Sequence, residues 1–240
     1  MIDRVPKGIG IEQWVPMSAL TDALAIRLRH GKLSKEDLAG ILSSYHRGAN
    51  RSAKTLSHAS RILGVTSQPD HVFSSLFPID IPTDLPAEQL RLIAVASAAL
   101  RYPAFYHVLV ALSKQFNVQP TVSRRYINEL VANRYGGNRT TNVGLDAILY
   151  MLVESGLLTR ESIGMYQRGR TIVSVDSRLC EYWLYADLVL SETKTISVDD
   201  MERRPWNSYI GDFSESLEAA IVLKVHTVAG GGVHVTANDA

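Results

Sequence analysis

The strongest constraint on this chain is the order in which turn-forming residues interrupt its apolar runs between Asn117 and Val175. Val118 to Val122 is short and β-prone around Pro120, and Ser123 is placed to cap a helix from Arg124 to about Arg134, which Gly136 and Gly137 end. A second helix, capped by Thr140 or Thr141, puts Leu145, Ile148, Leu149 and Leu152 on one face and stops at Gly156. Leu157 to Gln167 and Arg170 to Val175 are then two β-prone runs around Arg168-Gly169, the pattern of a hairpin. Phe105, Val108, Leu109, Leu112 and Phe116 form an amphipathic helix ahead of them. Helix, short strand, helix, turn, helix and hairpin is the element order of a winged helix-turn-helix.

The rest of the chain reads as mainly helical. Met1 to Pro16 holds Pro6, Gly8, Gly10 and Pro16 and is expected to be a loose arm with at most one short strand. Leu20, Leu24 and Leu28 mark a helix from Met17 to His30, stopped by Gly31. Ser34 and Asp37 make a capping-box-like start for a second helix carrying Leu38, Ile41, Leu42 and Tyr45. A turn containing Gly48 and a cap at Asn50 lead into a third, which runs to Leu63. These helices form an expected helix-turn-helix-like lobe over residues 1–64. Pro69, Pro78, Pro82 and Pro86 make 65–86 an expected connector, and Leu90 to Leu100, apolar nearly all round, opens a helical scaffold and winged-helix lobe over 87–175. In the remaining lobe, 176–240, the aromatic run from Ser177 to Ser191 favours helix over buried strand. Phe213 to Lys224 reads as a last helix, and Ala229 to Ala240 as a frayed end with Gly230, Gly231 and Gly232. No repeat of fixed period is evident.

Composition narrows the function. The 240 residues are 46% hydrophobic and 20% charged, which is globular rather than disordered. The single cysteine, Cys180, cannot form an internal disulfide, and with no basic-apolar-small leader at the start the expected setting is a reducing cytoplasm. The most apolar stretch, Leu92 to Leu112, is cut by Arg101, Pro103 and His107, so no membrane association is expected. The formal charge of +1 hides a strong asymmetry. Residues 1–64 carry 10 Lys/Arg against 5 Asp/Glu, and 120–175 carry 7 against 4, whereas 176–240 carry 5 against 11.

The two basic blocks hold the candidate binding residues. In a winged helix the second helix lies near the major groove, and its first turn here is Arg139, Thr140, Thr141 and Asn142. Arg124 and Arg125 open the helix before it, and Arg168 and Arg170 flank the expected wing tip. Phosphate contacts are natural for the arginines, and Thr141 with Asn142 are the expected base readers. On the third N-terminal helix Arg51, Lys54, His58 and Arg61 fall on one stripe, which Arg47 extends. Asp146, one turn beyond Asn142, would oppose DNA. No HExxH, P-loop or GxSxG motif occurs, so the chain is not read as an enzyme, and no cofactor or metal is expected.

Asn50 to Leu63 (NRSAKTLSHASRIL), Leu100-Arg-Tyr-Pro103, and Leu145 to Leu158 with its closing Glu-Ser-Gly-Leu-Leu together resemble the BrxA-type proteins of BREX phage-defence systems. That resemblance implies a non-enzymatic, double-stranded-DNA-binding accessory factor acting beside a methyltransferase and other subunits of a defence complex. The sequence following Val175 departs from that family, whose chains end soon after the winged unit. Two other readings stay open: a winged-helix adaptor that docks a partner subunit, and a transcription regulator.

Overall fold

Ten helices and two small antiparallel sheets are built from the residues that the computed structural model describes, 8–45, 48–65, 71–211, 217, 220–228 and 231–237. In the N-terminal part α1 (Met17–His30) ends at Gly31, whose φ of 68° closes the helix by returning its N–H to the Arg27 carbonyl. The Ser34 and Asp37 side chains form the expected capping box ahead of α2 (Lys35–Leu42). Helix α3 (Ala49–Ile62) starts one residue before the expected cap Asn50, directly after Gly48 at φ 102°. The segment 65–86, an expected connector, instead contains α4 (His71–Leu76), and Val72, Phe73, Leu76 and Phe77 are buried. Its four prolines leave room for a six-residue helix between Pro69 and Pro78.

Helices α5 (Ala87–Arg101) and α6 (Ala104–Phe116) bend by 115° at Tyr102-Pro103. No single described helix is long and apolar enough to cross a membrane. Helix α5 is buried nearly all round, as its composition predicts, because α1, α3, α8 (Arg139–Ser155) and α9 (Ser177–Leu190) all pack on it. One apolar cluster runs from Ile9 to Val235 through every helix of eight or more residues.

After α6 the chain forms β1 (Thr121–Ser123), α7 (Arg124–Tyr135), α8, β2 (Leu158–Ser162) and β3 (Met165–Arg168), with sheet order β1-β3-β2. Ser123 caps α7 by accepting from the Tyr126 N–H at 3.2 Å. Helix α8 is capped by Asn138, neither by Thr140 nor by Thr141. The hairpin turns at Ile163-Gly164, not at Arg168-Gly169. Gly169 serves a different purpose: a Cβ there would run into the Gly156 carbonyl at the end of α8, so the strand passes this close only as glycine.

The C-terminal part corrects two expectations. Leu223 and Lys224, assigned to a last helix, begin β5 (Leu223–Thr227); most of 213–222 lies outside the described residues. Val233–Ala237, assigned to a frayed end, is β6, the central strand of a sheet ordered β4-β6-β5, with β4 at Thr195–Ser197. Three backbone N–H groups, of Ile221, Val222 and Leu223, donate to the buried Glu181 carboxylate of α9 and fix the start of β5. A repeat that the sequence does not reveal also emerges. Helix α9, β4, the short α10 (Val198–Met201), a 3-10 turn at Trp206–Tyr209 and the β5-β6 hairpin follow the same order as α6 to β3, with the same strand arrangement. Thr121-Val122-Ser123 and Thr195-Ile196-Ser197 occupy matching strands, and Ser197 caps α10 as Ser123 caps α7.

Candidate nucleic-acid interface

Helix α8 turns one face into the core and one outward. Thr141, Gly144, Leu145, Ile148, Leu149 and Leu152 are buried, while Arg139, Asn142, Val143, Asp146 and Tyr150 lie exposed along the opposite face. Arg139, Thr140 and Asn142 are therefore where the sequence reading places them. Thr141 is not: at 2% exposure its N–H donates to Asn138 Oδ1 at 2.9 Å and its hydroxyl reaches the Tyr135 carbonyl, so it holds the helix start and cannot meet a base. Val143, 41% exposed, stands on the outward face beside Asn142.

Charged groups border this face on the hairpin side. The Arg124 N–H donates to the Gly164 carbonyl at 2.7 Å, joining the start of α7 to the hairpin turn, and its guanidinium pairs with Asp146 at 2.8 Å. Asp146 is thus partnered rather than free to repel phosphate. Arg160, opposite Tyr166 in the strand register, joins them: burial raises the Tyr166 hydroxyl pKa, Arg160 and Arg124 oppose that rise, and Asp146 adds to it. Sequence reasoning misses Arg160 because a turn placed at Arg168-Gly169 puts the tip of the hairpin elsewhere. Arg125 is exposed and pairs along its own helix with Glu129 at 3.0 Å.

Arg168 and Arg170 do not flank the hairpin tip. The Arg168 guanidinium donates to the Ser113 carbonyl at 3.2 Å and to Asn117 Oδ1 at 2.9 Å, and lies near the Phe116 and Tyr209 rings. It fastens β3 to the end of α6. Arg170 is exposed, but its N–H donates to the Gly156 carbonyl, at the far end of α8 from Arg139.

On α3 the stripe survives in part. Arg51, Lys54 and Arg61 are exposed, whereas His58 is buried and its Nδ1 lies 2.7 Å from the Tyr102 hydroxyl. Burial, then the positive charge of Arg61, lowers the His58 pKa and favours the neutral ring, so it supplies no cation to a phosphate. Arg47 lies outside the described residues.

The two basic faces meet along the N-terminal segment, expected to be a loose arm. Ile9, Ile11 and Val15 are buried, and Ile9 with the Ile11 carbonyl presses so closely on Gly144 that a Cβ there would collide with both. The Lys54 ammonium lies 3.4 Å from Glu12, the Trp14 ring 4.7 Å from that of Tyr150, and the Met17 N–H donates to Glu154 at 3.0 Å. Three consecutive residues of one strap, 12–14, with a bend at Gln13, therefore touch α3 at one end and α8 at the other. A strap of that length spans only about 10 Å, so the α3 stripe and the outward face of α8 are neighbours in space. Among the described residues no group of three His, Cys, Asp or Glu is placed to hold a metal. The chain matches no family model, no curated protein and no solved structure.

Proposed function

We propose that this protein binds double-stranded DNA through the outward face of α8, with α6 to β3 acting as a winged helix-turn-helix. The observation that carries the reading is that face: Arg139, Thr140, Asn142 and Val143 are exposed on the first turns of the second helix, with Arg124 and Arg160 beside them on the hairpin side. The order α6-β1-α7-α8-β2-β3 and the strand order β1-β3-β2 support it. A helix of this diameter fits the major groove, where short side chains reach base edges while arginines at its border meet phosphates. Arg51 and Arg61 of α3 add phosphate contacts from the adjoining face. The resemblance to BrxA-type proteins extends the proposal to an accessory role, without catalysis, in a phage-defence complex.

The test is fluorescence anisotropy of random-sequence duplex DNA at several salt concentrations, comparing the unmodified chain with Arg124→Ala/Arg160→Ala and Arg51→Ala/Arg61→Ala. For every phosphate that a variant no longer neutralises, the slope of log affinity against log salt should become shallower by about 0.9. Absence of binding at low salt refutes the reading and favours the adaptor alternative. That alternative draws on one observation: Arg124 and Arg125 already have carboxylate partners, while Val143 and Tyr150 are exposed apolar groups on the same face.

A further inference from the structure

We propose that Asn142 and Val143 together read an A·T base pair, so that the duplexes bound most tightly carry A·T where the first turns of α8 meet the major groove. This deepens the reading above and rests on it. The sequence assigns discrimination to Thr141 and Asn142, but Thr141 is turned into the protein. Its place on the outward face falls to Val143.

The chemistry of the two side chains is specific. A carboxamide offers one donor and one acceptor on neighbouring atoms, the complement of adenine N7 and N6 in the major groove. The Asn142 side chain has no hydrogen-bond partner among the described residues, so binding a base displaces no internal bond. Val143 offers only methyl groups, which suit the thymine 5-methyl and cannot satisfy the amino group of cytosine. The group that would favour cytosine, the Asp146 carboxylate one turn on, is held by Arg124. Arg139, the group that would favour guanine, is a long chain at the helix start, within reach of the phosphate row as well as of the groove.

The decisive experiment selects tight binders from a randomised duplex library with the unmodified chain, then measures a selected duplex by anisotropy in three forms: as selected, with each A·T pair changed in turn to G·C, and with thymine replaced by uracil, which lacks only the methyl group. An A·T pair at one position of the selected site should be enriched. Changing the contacted pair to G·C should weaken binding about tenfold, and the uracil form should bind several-fold more weakly. Asn142→Ala should abolish the first difference, and Val143→Ala should shrink the second. Enrichment of G·C, or a uracil duplex that binds as tightly as the thymine one, overturns the inference while leaving DNA binding intact. Failure of the unmodified chain to bind any duplex overturns the DNA reading itself, and this inference falls with it.

Discussion

Gly144 decides whether the N-terminal strap can lie across α8, and its replacement by alanine sets two opposing effects against each other. In an exposed helix interior, alanine is favoured over glycine by about 1 kcal/mol. Here the new Cβ would stand against the Ile9 side chain and the Ile11 backbone carbonyl. The first can rotate, but the second moves only if the strap moves. Overpacking of this kind costs about 1–3 kcal/mol, and the strap cannot leave without exposing Ile9 and Ile11, now 2% and 0% exposed, at about 2 kcal/mol each. The expected net loss for Gly144→Ala is about 1 kcal/mol, or a fall of about 2–4 °C in melting temperature for a chain of this size. Gly144→Leu should displace the strap altogether and cost about 3–5 kcal/mol. Urea unfolding measures the first, and limited proteolysis upstream of Met17 detects the second. A Gly144→Ala protein that is about 1 kcal/mol more stable than the unmodified chain would mean that the strap does not press on this helix, and the adjacency of the two basic faces would lose its support.

Four further outcomes are expected. Arg168→Ala should destabilise by about 2–4 kcal/mol, since it removes charged hydrogen bonds to Ser113 and Asn117, while the folded protein keeps its DNA affinity; reduced affinity at unchanged stability would return Arg168 to the binding surface. Asp146→Asn should tighten DNA binding about three- to tenfold in low-salt anisotropy, because Arg124 is released and a negative charge removed; weaker binding would show that the pair instead positions α8. Glu181→Ala leaves three backbone donors without their acceptor and should cost about 3 kcal/mol or more in urea unfolding, with Glu181→Gln intermediate; an unchanged midpoint would remove Glu181 as the anchor of β5. Burial, helped by Arg134, lowers the His107 pKa to about 4, and its ring is bonded to the Tyr135 hydroxyl. The unfolded chain takes up this proton near pH 6.5 and the folded chain does not until about pH 4, so stability falls as pH drops between those values. The unmodified chain should therefore lose more stability than His107→Gln between pH 7.5 and 5, and equal losses would show that this ring does not couple folding to pH.

What the sequence discloses are features decided within a few residues. The Ser34–Asp37 box, the Ser123 cap and the glycine stops at Gly31, Gly136 and Gly156 all stand as read, because a cap or stop depends on side chains one turn away. The failures have other causes. Thr141 lies four residues before Leu145 and seven before Ile148, so helical spacing already turns it inward, and taking the whole first turn of the helix as a contact surface hides that. His58 does fall on the α3 stripe, yet Tyr102 closes over it, and no local pattern reports what a distant ring will cover. Two glycines compete for the hairpin turn. Gly164 has the positive φ of 74°, while Gly169 is needed for close backbone passage, and the two uses of glycine look alike in a sequence. Choosing the wrong one moves Arg168 from the body to the hairpin tip and hides Arg160. In the last strand, Val233, Val235 and Ala237 do alternate, but the adjoining Gly230-Gly231-Gly232 run suggests an end rather than a turn between strands.

The repeated order of elements explains why a net charge of +1 is a poor guide to partners here. The scaffold of each unit depends on an alternating strand, a serine that caps the next helix and a buried helix behind the sheet, and none of these requires a particular surface charge. The exposed positions are free to diverge. Where the first unit has Arg124 and Arg125 at the start of α7, the second has Val198 and Asp199 at the start of α10, followed by Asp200 and Glu202. The arrangement is thus used twice with opposite electrostatics. Exposed charges more than about 8 Å apart are largely screened at physiological ionic strength, so acidic groups of the second unit beyond that range reduce the total charge without cancelling the field at α8. On the function proposed above, phosphate attraction would belong to the adjoining faces of α3 and α8 and not to the chain as a whole.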